Sequence, residues 1–577
     1  MNGVIPRKAL ASQPRIVEGL LAVYRAGVGK KFQHWIARTP SRPASYADFA
    51  QILLKNRHFE PLEKLEYGDH GLEQAVACLT DAIRNRKRIA LYADYDVDGT
   101  MSCVSWVWFL RGIGFSNFVT YIPCRFKEGY GVNLNAVKHL IEVEKVDVIV
   151  TMDTGITANE EAKYCREKGV QFLCTDHHQI QPEKMPDCIT LNPKQHPDLS
   201  YQELCGCGIT FVLLRRLAET FPVPTELWTD LLALAGMATI CDVVPLNRVN
   251  HKLARMGVSA LLRSQRPVLR RLREAASLQE GLDEQDVGFR LGPRINAVGR
   301  LGHAEQVVQA FISECPDDLV AHMGKCNEER KTIQKQIVRE ALLLGADAPE
   351  DPVLFLGGDW HPGVVGIAAS RVAETFWRPA WLFQRKDGIG KGSARSISGF
   401  DVTQAMASCG HLFLKFGGHR AAGGFSFELE KEDQIRQALL EYARAARATS
   451  PTLWESRVEF DCTLPLELAR VELAEEIDRW KPYGNSFEEP KFRIEGQVLG
   501  VQYYNDKATG QPKHTAVQLG EAGKFSRKVL FFNEVLESLA AQDRAAFIVS
   551  ARKDTFRGNA QLTLIAHDYE ISPRPMT

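Results

Sequence analysis

RIALYADYDVDGT, residues 88–100, is a short strand-like run that ends in acid: RIALYA leads into Asp94, Asp96 and Asp98, with Gly99 next. The same arrangement returns twice. VDVIVTM (146–152) leads into Asp153 within TMDTG, and VQFLCT (170–175) leads into Asp176, His177 and His178 within CTDHH. Helix-like stretches separate the runs. One of them, ANEEAKYCREKG (158–169), has acids in its first turn and ends on Gly, as a capped helix does. Strands alternating with helices predict βαβ units and a parallel sheet. A further acid, Asp242, follows the apolar segment LLALAGMATIC (231–241), precedes VVPL, and is read as a fourth acidic strand end.

In an open parallel sheet, ligands bind beyond the carboxyl ends of the strands, so these residues are expected to converge there. Several carboxylates in one crevice repel one another unless cations neutralise them. Oxygen and imidazole donors suit Mn2+ or Mg2+ rather than a thiolate metal. Two such ions about 3.5–4 Å apart would clamp the attacking and leaving oxygens of a phosphoryl displacement, with a bridging hydroxide as nucleophile. Asp-Gly after a strand is a common turn, and a His pair is more often a surface feature, so no single run decides the matter. Four acidic ends, one carrying His177 and His178, favour a metal site over turn chemistry.

The chain has 577 residues, which at about 150 per domain predicts three or four domains. Hydrophobic residues make up 45% and charged ones 25%, an ordinary globular composition. No apolar run approaches the ~20 residues of a membrane span, and MNGVIPRKALASQPR has no signal-type apolar stretch. A cytoplasmic protein without a membrane partner is expected. The 13 cysteines are scattered and read as reduced thiols, and the Cys205/Cys207 pair, lacking a second pair, reads as structural.

Residues 1–75 read as helical and irregular, and 76–250 as the α/β region just described. A helical connector is read over 251–348, with a charged amphipathic stretch at 317–344 suited to bridging two domains. A second α/β region, 349–450, opens on PVLFLGG. Residues 451–577 hold five strand candidates, from KFRIEGQVLGVQYY to AQLTLIA, and predict a small antiparallel barrel or sandwich.

Four stretches of the second half carry glycine beside Arg, Ser or His: GPRINAVGRLG (292–302), WHPGVVGIAASR (360–371), KGSARSISGFDV (391–402) and FGGHRAAGGF (416–425). Any one of them alone is more readily a tight turn with a surface Arg. Together they suggest phosphate cradles, since glycine lets backbone N–H groups approach an anion.

Lys plus Arg and Asp plus Glu both number 71, which excludes a uniformly basic surface. The charge is uneven, however. Residues 251–275 hold seven basic residues and one acid, and 81–90 hold four and one. Arg270 and Arg271 in the first of these are candidates for a track along single-stranded nucleic acid, and Tyr503, Tyr504 and Phe556 for base stacking, although core packing accounts for most aromatics there. No GxxxxGK pattern followed by Ser or Thr occurs, which disfavours an ATP-driven helicase.

DYDVDG, TMDTG, TDHH and CDVVPL resemble, in order, the four motifs of the DHH phosphoesterase family. FGGHRAAGGF resembles the GGH motif of the family's DHHA1 domain. With GPRINAVGRLG and WHPGVVGIAASR, the chain is most similar, over about residues 85–425, to that family's bacterial single-stranded-DNA-specific exonucleases. PYGNSFEEP (482–490) and the C-terminal strands fit an OB-fold. TMDTG stands where the family often has Asp-Asn-Gly or Asp-His-Gly, and CDVVPL where Ala often precedes the Asp; neither change removes a ligand.

The resemblance implies an α/β multidomain protein: a parallel-sheet DHH domain, a helical connector, an α/β DHHA1 domain and a C-terminal β-barrel of OB type, with the site between the first and third. It implies two divalent cations, Mn2+ or Mg2+, held by Asp96, Asp98, Asp153, His177 and Asp242. Asp153 would bridge them and Asp94 would be a further ligand or a close neighbour. Asp176 would orient a histidine and His178 would contact the scissile phosphate. Arg125, Arg300, Arg395, Ser396 and His419 would grip substrate phosphates. The implied activity is 5′→3′ degradation of single-stranded DNA to nucleoside 5′-monophosphates in recombination and repair, at the nucleoid. Single-stranded-DNA-binding protein and a RecQ-type helicase are the implied partners, and a monomer is expected. Two rival readings are a family enzyme for a small substrate (pyrophosphate, a cyclic dinucleotide or nano-RNA) and a catalytically inactive replication scaffold.

Overall fold

The computed structural model describes residues 32–59, 71–195, 203–278, 281–506, 509–556 and 559–572. Much of the region read as helical at 1–75 lies outside them. Where described, it holds a helix, Tyr46–Asn56, and also a strand, β1 (His34–Ala37). That strand pairs in parallel with Arg457–Phe460, more than four hundred positions away, so nothing local signals it.

The chain forms two compact units. One comprises Arg57–Arg330 together with Trp480–Glu489, and the other Met1–Asn56, Lys331–Arg479 and Pro490–Thr577. In the first, five strands, β2 (Ile89–Ala93), β3 (Phe118–Tyr121), β4 (Val148–Met152), β5 (Gln171–Thr175) and β6 (Ile189–Leu191), form an all-parallel sheet of order β3-β2-β4-β5-β6. The three strands read from sequence are its centre. The two short edge strands, β3 and β6, carry no comparable apolar run.

Every residue of β2 and β4 is buried, as expected for strands covered on both faces. The helix after β2, Val97–Gly112, is buried nearly all round, from Val97 to Leu110. One continuous core runs from Leu72 to Cys326, through the sheet and into the helices Arg248–Arg263, Pro267–Ala275, Gly292–Leu301 and Glu305–Ile312.

Register places the site. Ala93 pairs with Met152, and Met152 with Thr175. The next residue of each strand, Asp94, Asp153 and Asp176, therefore leaves the sheet at one level. β2 lies between β3 and β4, so the connections run in opposite directions from it, and the acids stand at this reversal of strand order, where open α/β sheets bind ligands.

The amphipathic stretch expected at 317–344 is one helix, Asp317–Ala346. The second unit contains a five-stranded sheet of β7 (Leu354–Gly358), β8 (Ala380–Lys386), β9 (Ile389–Arg395), β10 (Lys415–His419) and β11 (Ala422–Glu428), in the order β10-β11-β9-β8-β7. Its remaining strands are β12 (Arg457–Phe460), β13 (Cys462–Thr463), β14 (Phe492–Asn505), β15 (Pro512–Glu521), β16 (Phe525–Phe531), β17 (Arg544–Phe556) and β18 (Asn559–Ser572). The last five are the predicted ones. They run β14-β15-β16-β18-β17, and β14 pairs again with β17, closing the barrel. Closure removes the free edges at which a sheet would pair with other chains; the barrel is not wholly antiparallel as expected, since β16 and β18 pair in parallel. All 13 cysteines are free, and among the described residues no helix is long and apolar enough to cross a membrane.

Candidate metal centre

Three turns deliver the acids. After β2, Asp96 caps the helix Val97–Gly112, its Oδ1 accepting from the Asp98 and Gly99 amides at 2.8 and 3.2 Å. A Cβ on Gly99 would lie 2.4 Å from the Asp94 carbonyl oxygen, so this tight return requires glycine. Asp98, buried in the first turn, is clasped by the start of another helix, Gly206–Leu217: its Oδ2 accepts from Gly206 N at 2.6 Å and its Oδ1 from Cys207 N at 2.7 Å. Those amides are unpaired donors at a positive helix end, a natural seat for a carboxylate. After β4, Asp153 takes the left-handed conformation, φ 59°.

After β5, Asp176 is saturated. Its Oδ1 accepts from the amides of His177 (2.7 Å) and His178 (3.0 Å) and from His178 Nδ1 (2.7 Å), and its Oδ2 from Ile156 N (2.8 Å). It organises the histidine pair. His178 Nε2 lies 3.0 Å from the Tyr130 hydroxyl.

His177 Nε2 lies 3.1 Å from Asp153 Oδ1, 3.5 Å from Asp242 Oδ2 and 3.8 Å from Asp98 Oδ2. Three groups offer ligand atoms all within 4.8 Å of one another: Asp94, Asp96 and Asp153; Asp98, His177 and Asp242; and Asp153, His177 and His178. Asp153 belongs to two of them. Asp242 arrives differently from the expectation of a fourth strand end. LLALAGMATIC is the second half of a helix, Thr225–Cys241, and Asp242 is its C-terminal cap. A continuous apolar run reads as a buried strand or a buried helix alike, and the helix is the outcome here.

Burial, followed by neighbouring carboxylates, pushes Asp94, Asp153 and Asp242 well above the ordinary carboxyl value and Asp98 up to about 6. Burial would also raise Asp176, yet the bond from His178 and the two imidazoles hold it below that value. Burial works against charge on His178 as well, but its bond to Asp176 lifts it. Asp94 Oδ1 and Asp153 Oδ1 are buried and accept no hydrogen bond. Crowded carboxylates with buried oxygens that lack hydrogen bonds, beside imidazole, fit hard divalent cations such as Mn2+ or Mg2+.

Of the residues expected to grip phosphate, Arg125 and Arg300 belong to this unit and flank the acids. The Arg125 guanidinium lies 5.1 Å from the Tyr95 ring centre, and both arginines act electrostatically on Tyr95, between Asp94 and Asp96. GPRINAVGRLG is not a glycine loop. It forms the whole of the helix Gly292–Leu301 with its C-terminal cap, and two of its glycines allow contact: a Cβ on Gly299 would sit 2.9 Å from the Tyr95 carbonyl oxygen, and one on Gly292 2.4 Å from Cys241 Sγ. Asn296 Oδ1 accepts from Val97 N at 3.1 Å, tying this helix to the DYDVDG turn.

Arg395, Ser396 and His419 belong to the other unit. Arg395 Nη1 donates to Ser393 Oγ at 2.6 Å, near Gly366 in the first turn of the helix Val365–Phe376. Ser396 Oγ donates to the Phe400 carbonyl at 2.8 Å, and His419 ends β10, exposed. Arg270 and Arg271 lie on the helix Pro267–Ala275 and already hold acids: Glu274 is 3.6 Å from the first and 2.8 Å from the second, and Asp317 is 2.8 Å from Arg271. The Tyr503 hydroxyl donates to the Leu536 carbonyl at 3.0 Å, and Lys528 Nζ donates to the Tyr504 hydroxyl at 3.0 Å. The Phe556 side chain lies outside what the structure describes.

The sequence reading missed the clasp on Asp98 and the partners Tyr130 and Asn296. The signal for the clasp was GCG (206–208) opening an apolar helix, set aside as a structural cysteine pair.

Three family models match the chain: the DHH family N-terminal domain over residues 88–237, the DHHA1 domain over 350–445 and the RecJ OB domain over 460–568. The chain is 33% identical to the single-stranded-DNA-specific exonuclease RecJ of Bacillus subtilis (strain 168) over 465 residues, 78% of this chain, and so spans 57% of that relative's length. To the RecJ of Haemophilus influenzae it is 31% identical over 541 residues, 87% of this chain and 90% of the relative. It is also similar to the crystal structure of RecJ from Thermus thermophilus in complex with Mn2+, at TM-score 0.79 and 27% identity, over 94% of this chain and 80% of that one. A structure of the Thermus RecJ with Mg2+ matches at TM-score 0.73 and 25% identity, over 94% of this chain and 79% of that one. Identity of 31% across nine tenths of the Haemophilus protein, joined to the three domain matches, makes this chain a member of the RecJ family.

Proposed function

We propose that the protein is a metal-dependent 5′→3′ exonuclease that degrades single-stranded DNA to nucleoside 5′-monophosphates in recombination and repair. The observation that carries the reading is the convergence of Asp94, Asp96, Asp98, Asp153, His177 and Asp242, with His178, at one end of a parallel sheet. Membership of a family whose relatives are single-stranded-DNA-specific exonucleases supports the substrate class.

Asp96, Asp98, Asp153, His177 and Asp242 would hold two divalent cations, Mn2+ or Mg2+, with Asp153 contributing to both and Asp94 a further ligand. Bound there, the cations supply Lewis acidity and neutralise charge on the scissile phosphate. The remaining work falls to the chain's own groups. Asp176 fixes His178 through Nδ1, so that Nε2, which lies beside the Tyr130 hydroxyl in this structure, turns to donate to a non-bridging phosphate oxygen. Arg125 and Arg300 take the phosphates nearest the acids, and Arg395, Ser396 and His419 take others. Arg270 and Arg271 line the strand's track; exposed ion pairs are weak, so a phosphate can replace Glu274 and Asp317. Tyr503, Tyr504 and Phe556 are the candidates for stacking on bases, although core packing accounts for most aromatics there.

The division into residues 1–75, 76–250, 251–348, 349–450 and 451–577 follows the same reading. So do a monomeric state, a cytoplasmic, nucleoid-associated location, and single-stranded-DNA-binding protein and a RecQ-type helicase as partners.

The test offers end-labelled single-stranded DNA, duplex DNA, RNA and pyrophosphate to the protein with Mn2+, Mg2+ or chelator. Mononucleotides released from the 5′ end of single-stranded DNA, only with metal, are expected. Turnover of pyrophosphate alone would replace this reading with the small-substrate one, and silence on every substrate would favour the scaffold.

A further inference from the structure

PYGNSFEEP (482–490) has no part in the metal chemistry above. It lies between the helix Val471–Arg479 and barrel strand β14, both in one unit, yet residues 480–489 pack into the other. The Phe487 ring is fully buried, 4.5 Å from that of Phe59 and 4.9 Å from that of His251. The Trp480 carbonyl lies 2.8 Å from His251 Nε2. These contacts anchor a short arm whose middle reaches the loop after Asp242.

Asn485 makes both halves of that contact. Its side-chain Nδ2 donates to the Val243 carbonyl at 2.9 Å, and its own carbonyl accepts from Leu246 N at 2.7 Å. Val243 stands in the left-handed region, φ 58°, a conformation that a β-branched residue keeps only under constraint. The residue is 62% exposed, so packing is a poor source of that constraint. Asp242, one residue earlier, closes its helix with a carboxylate oxygen 3.5 Å from His177. The direction in which Asp242 leaves the helix is therefore coupled to a strained neighbour whose carbonyl one side chain pins.

We infer that Asn485 is a positioning residue for Asp242: by holding Val243 in its left-handed turn, it sets the Asp242 carboxylate toward His177 and Asp98. The inference rests on the reading of Asp242 as a metal ligand. It gives the PYGNSF segment a role that fold alone does not require, since the barrel strands close without it.

The experiment titrates the full chain with MnCl2 by calorimetry. Asn485→Asp keeps size and backbone bond but cannot donate to Val243. It should bind Mn2+ about tenfold more weakly, the scale found when groups that orient metal ligands are removed. Its melting temperature in EDTA should stay near that of the parent chain. Adding Val243→Gly should restore affinity, because glycine takes the left-handed conformation without a pin; a merely structural role would lower the melting temperature and would not be rescued in this way. Val243→Gly alone should bind as the parent does, and a tenfold loss in that variant overturns the proposal. So does parental affinity in Asn485→Asp when Asp242→Asn has lost affinity in the same assay. Should Asp242→Asn itself bind as the parent does, the ligand reading falls, and the inference with it.

Discussion

Asp153 shows what the site demands of a single residue. It is buried and left-handed, and its Oδ1 accepts no hydrogen bond. Burial first, then Asp98, Asp96 and Asp242, lifts its carboxyl well above the ordinary value of 3.8. The folded value thus exceeds the unfolded one. The metal-free protein has the full benefit of a neutral Asp153 only below about pH 4, and loses it as pH rises through the folded value. Asp153→Asn removes that ionisation. In EDTA the variant should melt above the parent chain near pH 8, with the gap closing as pH falls toward 4. Mn2+ should raise the parent's melting temperature and leave the variant's little changed. Cleavage should fall more than about a thousandfold, since several kcal/mol of transition-state stabilisation leaves with the metal, while binding of single-stranded DNA persists. Retained cleavage, or a variant melting below the parent in EDTA at that pH, would count against the site as described. Asp153 was legible as a candidate because an acid after a β-rich run is visible locally. Its strained backbone and missing hydrogen bonds depend on neighbours from three other segments and were not.

Among the elements, the helix Gly206–Leu217 has the clearest consequence. Its first amides hold Asp98, and a Cβ on Gly206 would come within 2.7 Å of the Asp153 Cβ and 3.1 Å of Asp98 Oδ2. Gly206→Ala should therefore push the helix start away from both aspartates. The expected cost is about 1–3 kcal/mol of stability, read by denaturant unfolding, since overpacking a tight site costs that much. Mn2+ affinity should drop in the same variant, and unaltered affinity would show that the clasp is dispensable. GCG marks the start of the helix but not what it holds, because the acceptor lies 108 positions earlier in the chain. The helix Gly292–Leu301 repeats the lesson. Glycine next to Arg suggested a phosphate loop, whereas Gly292 and Gly299 are small so that this helix can rest on Cys241 and on the DYDVDG turn.

For the molecule as a whole, a net charge of zero is a sum over regions of opposite sign. Acids crowd the metal centre, and Arg270 and Arg271 stand on the outer face of a helix beside Glu274 and Asp317. If both arginines contact the strand, reversing them to Glu should weaken DNA binding and flatten the log–log salt dependence by about 1.4, roughly 0.7 per phosphate contact on a single strand. Fluorescence anisotropy across a salt series measures this, and an unchanged slope would leave the two arginines as the surface partners of Glu274 and Asp317.

The sequence by itself determined the parallel sheet, the strands of the barrel, the acids and histidines of the site and, through their motifs, the family. All of these are local: strand-like runs, turn residues and spacing are written in consecutive positions. Tertiary structure alone decided that Asp242 caps a helix, that Asp98 is seated on helix amides, that Asp176 is spent on the histidine pair and that Asn485 pins the turn beside Asp242. Each depends on groups distant in the chain meeting at hydrogen-bond distance, and periodicity along a chain carries no record of such meetings.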